Sequence, residues 1–469
     1  MKPGVIIALV LAGCVFDRAG LEPGDAGTRD TMDLHHADQP ATDGPCDQGH
    51  DRPDAQHGDL DGTGLDPSIP DLPLPDSPLP DTVPPCVPAA CPLGCHTTFP
   101  RCNRLDPSFY DASTLYGLAT AKLSLSGVEV VIDGSTGAIA GHRTAGSAGL
   151  APGGIYWNTV TQPGGAPLAV FGVDSLTVAS GTTVRVQGTI PVAIYARDSV
   201  VIDGTVNAGA DLELPGPGGG APGAKNGSNG ATCLGGEGGG GDTSSDHQGG
   251  GGGGGWGQAG AKGGNSSTIQ GGLGGPAVAW PATYLHGGCG GGAGGGPDPN
   301  GNSGNGGDGG SGGGGGGALQ ISAGTSITIG GGTTVGGGGG TGGHYGGGGG
   351  AGGSGGSIVI EAPEVTVTGL LAANGGGGGA GGIAWSYALA NNGSNGGLTT
   401  VRAAGGVSQS TWAGEGGLGG AQQPAVAGQA AYNGGGGGGG AGAIWIQAQA
   451  ASVTPSSPQH TLGSTLGTW

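Results

Sequence analysis

Charged side chains, aromatic rings and above all cations are scarce in this chain. Charged residues make up 10% of its 469 residues and aromatic residues 4%, below the ordinary share of a globular domain, so one large conventional core is not expected. With hydrophobic residues at 34%, whatever core exists must be thin and repetitive. Thirteen Lys+Arg face 33 Asp+Glu, a net charge of −20, which opposes binding to nucleic acid phosphates or to anionic lipid. What the chain has in excess is glycine: 124 residues, against roughly 7% in average proteins. That composition excludes an ordinary helical or α/β enzyme.

The amino terminus reads Met1, Lys2, a seven-residue apolar run Val5–Leu11, then Ala12, Gly13 and Cys14. Seven apolar residues are too few to span a bilayer, so residues 1–13 are expected to be a cleaved export signal. Leu11-Ala12-Gly13-Cys14 resembles the bacterial lipobox, which implies acylation of Cys14. Several acyl chains on one residue give stable anchoring. Val15 follows the cysteine where Asp would resemble an inner-membrane retention signal, so the expected location is the outer membrane, lipid-anchored and surface-exposed.

Residues 14–85 are expected to be a disordered Asp/Pro-rich tether. Between Val15 and Ala112 stand 18 acidic and 5 basic residues, and such a segment cannot bury enough surface to fold. The degenerate repeat Pro70-Asp71-Leu72-Pro73-Leu74, Pro75-Asp76-Ser77-Pro78-Leu79 and Pro80-Asp81-Thr82-Val83-Pro84 favours an extended, stiff spacer. Asp59-Leu60-Asp61-Gly62 begins like a calcium loop, but Pro70 occupies the position that needs a bidentate Glu. Cys86, Cys91, Cys95 and Cys102 cluster over residues 86–112. In an exported chain two disulfides forming a small knob outrank a zinc site. Cys233 and Cys289 are a second candidate pair, and Cys46 has no evident partner.

From residue 113 onward the texture is short β-branched strands. Val130-Val131-Ile132-Asp133-Gly134 recurs letter for letter at 200–204, and Leu176, Val178, Val184 and Val186 are matched sixteen residues later by Val192, Ile194, Val200 and Ile202. Alternation at period two returns at Ala318–Ala323, Ser357–Ala362 and Ala443–Ala448. The reading is of coils of two short parallel strands stacked on their copies, hence an all-β, right-handed parallel β-helix or solenoid over residues 113–469. A β-sandwich would want antiparallel hairpins with two-residue turns. In such a solenoid Ile360 points inward and Val359 leaves on the opposite, more tolerant side. The glycine tracts at 215–317, 336–356, 374–383 and 434–442 fall between coils. Their recurrence at equivalent points argues for ordered, mutually packed polyproline-II-like strands over floppy insertions, and the lack of a strict Gly-x-y period excludes collagen.

The lipobox, the tether, the four clustered cysteines and the Gly-Gly-Ser/Ala-Ile-x-Ile-x-Ala rungs between polyglycine tracts make the chain similar to glycine-rich, PE-PGRS-like surface lipoproteins of Gram-negative bacteria, although the amino-terminal PE helices of true PE-PGRS proteins are missing. The resemblance implies little about activity.

Residues that carry chemistry are sparse. Motifs of the polygalacturonase-type β-helix enzymes are absent, as is a Gly-x-Ser-x-Gly elbow. The constellation Arg185, Arg197, Asp198 and Asp203 reads as turn ion pairs, with Arg197 beside Asp198. His247, His286 and His344 lie singly in glycine tracts, and Thr366-Val367-Thr368 is not repeated into the Thr-x-Thr rows an ice-binding array needs. No catalytic residue, cofactor or metal is expected. Trp256, Trp280, Trp385 and Trp412 in or beside the tracts are candidate carbohydrate contacts, since exposed ring faces stack on sugars. The expectation is a non-enzymatic surface protein with an adhesive or envelope-structural role, partnered by the membrane through its anchor and by polysaccharide or another cell surface. The alternative is a polysaccharide-binding or polysaccharide-degrading β-helix protein.

Overall fold

The computed structural model describes residues 95, 102–113, 115, 119–230, 236, 247–279, 282–296, 307–383 and 388–468. The export signal, Cys14, the tether, Cys86 and Cys91 lie outside the described residues. Regular structure among the described residues is all strand.

Three sheets share the work. The first runs, in hydrogen-bonded order, through Leu168–Val173, Val192–Ala196, Ala318–Ala323, Ser357–Glu361, Ala443–Gln447 and Thr461–Gly463, all parallel. The second stacks Lys122–Leu125, Ser175–Val178, Ser199–Ile202, Ser326–Ile329, Glu364–Val367 and Ala450–Val453, again parallel. The third stacks Glu129–Asp133, Thr183–Gln187, Thr205–Asn207, Gly332–Thr334, Leu370–Ala372 and Ser456–Ser457 in the same sense. Antiparallel strands close the early end, with Ala138–Ile139 on the third sheet and Tyr156–Val160 and Gly149–Leu150 on the first.

The chain therefore visits first, second and third sheet in turn, three strands per rung where two were expected. The missed strands are the short ones of the third sheet, two to three residues long after Ile202. Register corrects the sixteen-residue offset as well: Val200 pairs with Leu176 and Ile202 with Val178, whereas Val192 pairs with Ala169 and Leu319. The identical pentapeptides at 130–134 and 200–204 lie in different sheets, third and second. Period-two alternation specifies which side chains turn inward but not which sheet receives them.

One apolar core runs between the sheets, with Ile194, Ile321, Ile360 and Ile446 in line from the first and Ile202, Ile329 and Val367 from the second. At the corner after the second sheet, Gly204, Gly331 and Gly369 stack so closely that a Cβ on Gly331 would meet the Gly204 carbonyl, and one on Gly369 the Gly331 carbonyl. The first sheet is buried on its other face too. Phe109, Tyr110, Ala112, Leu115 and Ala119 cover Val170, Ala193, Tyr195 and Val359, and Leu105–Asp106 pairs with Gly467–Thr468. Residues 105–112, expected in the cysteine knob, thus belong to the folded body, and Val359 is as buried as Ile360.

The glycine tracts leave the third sheet and return to the first. Along 348–356, the amides of Gly348, Ala351 and Ser354 donate to Gly295, Gly292 and Cys289; those of Gly349, Gly352 and Gly355 to Gly434, Gly437 and Gly440; those of Gly350, Gly353 and Gly356 to Thr341, Gly338 and Val335, all at 2.9–3.0 Å. Its carbonyls accept from three further runs, through Gly251 and Gly254, Gly310 and Gly313, and Gly376 and Gly379. Donor direction repeats every third residue, the periodicity of a polyproline-II helix, and one tract is ringed by six others. Gly353 shows why this needs glycine: a Cβ there would fall well inside 3.0 Å of the Gly314 carbonyl. Satisfying each buried peptide group this way contributes about 1 kcal/mol net, which offsets part of the entropy lost on ordering glycine.

Candidate functional site

Two places bring chemistry-bearing side chains together. On the outer face of the first sheet, the ladder positions Tyr195, Ser322, Glu361 and Gln447 lie side by side, under the segment that carries Ser108 and Tyr110. The Glu361 carboxyl, 1% exposed, accepts from Gln320 Nε2 at 2.6 Å, Ser322 Oγ at 3.1 Å and Ser108 Oγ at 2.5 Å, with the Ser108 amide at 3.3 Å. Burial pushes its pKa up, against the opposing effect of these donors. Burial first, then the charge of Glu361 among others, pushes the Tyr110 phenol well above its usual value. With its partners all protein groups, Glu361 clips the covering segment to the sheet. Sequence reasoning missed it, because Glu361 is simply the last residue of a strand and its partners come from 39, 41 and 253 residues away.

Beside the clip, Asp106, Tyr110, Asp111, Ser113, Thr161, Gln162 and Thr283 line an open groove of about 630 Å³. Asp106 is held above its ordinary value by burial and then by Asp111; Asp111 is held below by hydrogen bonds from Ser113.

The second place is a turn cluster at the glycine bundle. Trp412 and Tyr432 are 53% and 41% exposed, with ring centroids 4.6 Å apart at 71°. His247 stands 4.2 Å from the Tyr432 ring at 77°, and Ser267 Oγ lies 3.0 Å from His247 Nδ1.

Of the four candidate tryptophans, Trp412 is therefore exposed, while Trp280 and Trp385 lie outside the described residues. Trp256 is corrected: it is 4% exposed, its Nε1 donates to Ser357 Oγ at 2.9 Å and its ring packs against His286, so it joins bundle to sheet and offers no face to a sugar. Arg197 pairs with Asp174 of the preceding rung, its Nε at 2.8 Å from Oδ1, and not with its chain neighbour Asp198, which accepts from Thr325. Arg185 and Asp203 stay apart, on the third sheet and at the corner after the second. Cys95 and Cys102 face each other across an isolated antiparallel bridge; these two and the buried Cys289 are disulfide-bonded. Cys233 lies outside the described residues. Among the described residues no cluster of three His, Cys, Asp or Glu is placed to hold a metal ion, and no helix is long and apolar enough to cross a membrane.

No protein family, curated protein or solved structure matches this chain.

Proposed function

We propose that the chain is a lipid-anchored, non-enzymatic cell-surface protein, held through Cys14 and an acidic spacer, whose three sheets wind as a right-handed parallel β-solenoid and carry the glycine bundle outward for adhesion or envelope structure. The observation that carries this reading is the bundle itself. Its interior is backbone packed on backbone, with Gly349–Gly434 and equivalent contacts repeating tract after tract. Such a body is stiff, and it presents its outer turns without needing an internal cleft. The lipobox-like Leu11–Cys14 and the Asp/Pro segment supply attachment and reach, as in the glycine-rich surface lipoproteins the sequence resembles.

Cell fractionation and protease shaving test it. The wild-type chain is expected in the membrane fraction and to be cut by protease added to intact cells; Cys14→Ser is expected to move it to the soluble fraction. A wild-type chain that is already soluble, or one that stays membrane-bound as Cys14→Ser, overturns the anchor. A second reading, a polysaccharide-binding protein, is favoured by the exposed Trp412–Tyr432 pair.

A further inference from the structure

Among the described phenylalanines, tyrosines and tryptophans, Trp412 and Tyr432 are the exposed ones, and they touch each other. The other tryptophans and phenylalanines described are covered to a greater degree: Trp157, Phe171 and Trp256 are buried, and Trp445 packs against Phe109. Two large rings left in water at the same spot, on a chain with so few aromatics, mark an interaction surface.

The spot is also built firmly. Asn433, fully buried, donates its backbone amide to the Trp412 carbonyl at 3.1 Å and its Nδ2 to the Gly382 carbonyl at 2.8 Å, and its Oδ1 accepts from the Gln248 amide at 3.4 Å. This one residue, through backbone and side chain together, thus ties the turn bearing Trp412 to the segments bearing Tyr432 and His247. Ser408 Oγ closes the Trp412 turn on the Ala413 carbonyl at 2.6 Å, and the Ala431 amide holds the Ser267 turn through Asn265. The rings are held in place before any partner arrives, which removes part of the cost of binding.

We infer that this corner, Trp412 and Tyr432 with His247 and Ser267, is a binding site for a neutral saccharide unit. A protein partner with a large apolar patch does not suit two rings set among exposed Ser267, Thr411 and Gln409, and a nucleic acid is opposed by the charge of −20. A pyranose suits both halves of the surface. Its C–H face, polarised by the ring oxygens, meets the electron-rich face of an aromatic ring, and its hydroxyls find the Ser267 hydroxyl and the imidazole of His247 as donors and acceptors. The near-perpendicular rings form a corner that receives one sugar on a ring face and lets the chain of sugars continue past the other ring's edge. The inference deepens the polysaccharide-binding reading and rests on it.

The test is affinity electrophoresis of the full purified chain through gels containing hydroxyethylcellulose, glycol chitin, xyloglucan, soluble starch or dextran, with the acidic polymer alginate for comparison. At least one neutral polymer is expected to retard the chain. Trp412→Ala and Tyr432→Ala are each expected to weaken that retardation about tenfold with unchanged melting temperature, since both rings are exposed, while Val401→Ala, also exposed, leaves it intact. Retardation by alginate alone, retardation abolished by salt, no retardation by any neutral polymer, or retardation undiminished in both ring variants overturns the site. The outcome is independent of Cys14, so failure here leaves the anchoring experiment standing, and failure there leaves this one.

Discussion

At the scale of single residues, Glu361 and the tract glycines answer to opposite rules. Glu361 is a polar group that burial tolerates because donors surround it. Its folded pKa is raised, so the folded state binds the proton more tightly than the unfolded chain. The stability this contributes is full below the ordinary carboxylate range and is lost as pH rises through the raised folded value. Thermal unfolding from about pH 4 to pH 8 is expected to show the wild-type curve falling relative to that of Glu361→Gln as pH increases; parallel curves would remove Glu361 from the clip. At Gly353 the missing Cβ is the function of the residue. Gly353→Ala must push backbone against the Gly314 carbonyl, and denaturant unfolding is expected to show a loss of about 3 kcal/mol. Gly146→Ala, with open space around the new methyl and no left-handed φ, is expected to stay within about 0.5 kcal/mol. Composition made the glycines legible as a group, but which of them cannot accept a methyl follows from neighbours tens to more than a hundred positions away.

At the scale of elements, the strands of the first and second sheets were readable from their alternation: Leu319 and Ile321, Ile327 and Ile329, Ile358 and Ile360 all turn inward. The later strands of the third sheet were not, because Thr205–Asn207 and Gly332–Thr334 are too short for a period to show. The outer face of the first sheet misled for another reason. Val359 alternates with Ile360 as a solvent-facing residue would, yet Phe109, Tyr110, Ala112, Leu115 and Ala119 cover it, and nothing within the strand announces a cover supplied from elsewhere in the chain. The contrast between faces therefore belongs on the second sheet, where Ile329 is buried and Thr328 exposed. Ile329→Asp is expected to lower stability by about 4 kcal/mol or to prevent folding, because the charge is buried without a partner. Thr328→Asp is expected to melt close to wild type. Equal melting of the two would mean that Ser326–Ile329 is not stacked as described.

At the scale of the whole molecule, the amino acid economy of the chain divides it. Acidic residues gather before residue 112, where 18 of the 33 stand, and leave the folded body with few charges to desolvate. The candidate site was half legible for the same reason. Trp412 stood out among so few aromatics, whereas Tyr432, His247 and Ser267 come to it from separate turns that only the folded bundle brings together. The bundle's threefold repeat of donor direction has one more implication. A tract has a phase as well as a length. Adding three residues to a run such as 348–356 leaves every later amide aimed at the neighbour it had before, whereas adding one or two turns the remainder by a third of a revolution and points each donor at the wrong strand. Growth and shrinkage of these tracts are thus free in steps of three and blocked in between, a reading frame written in hydrogen bonds.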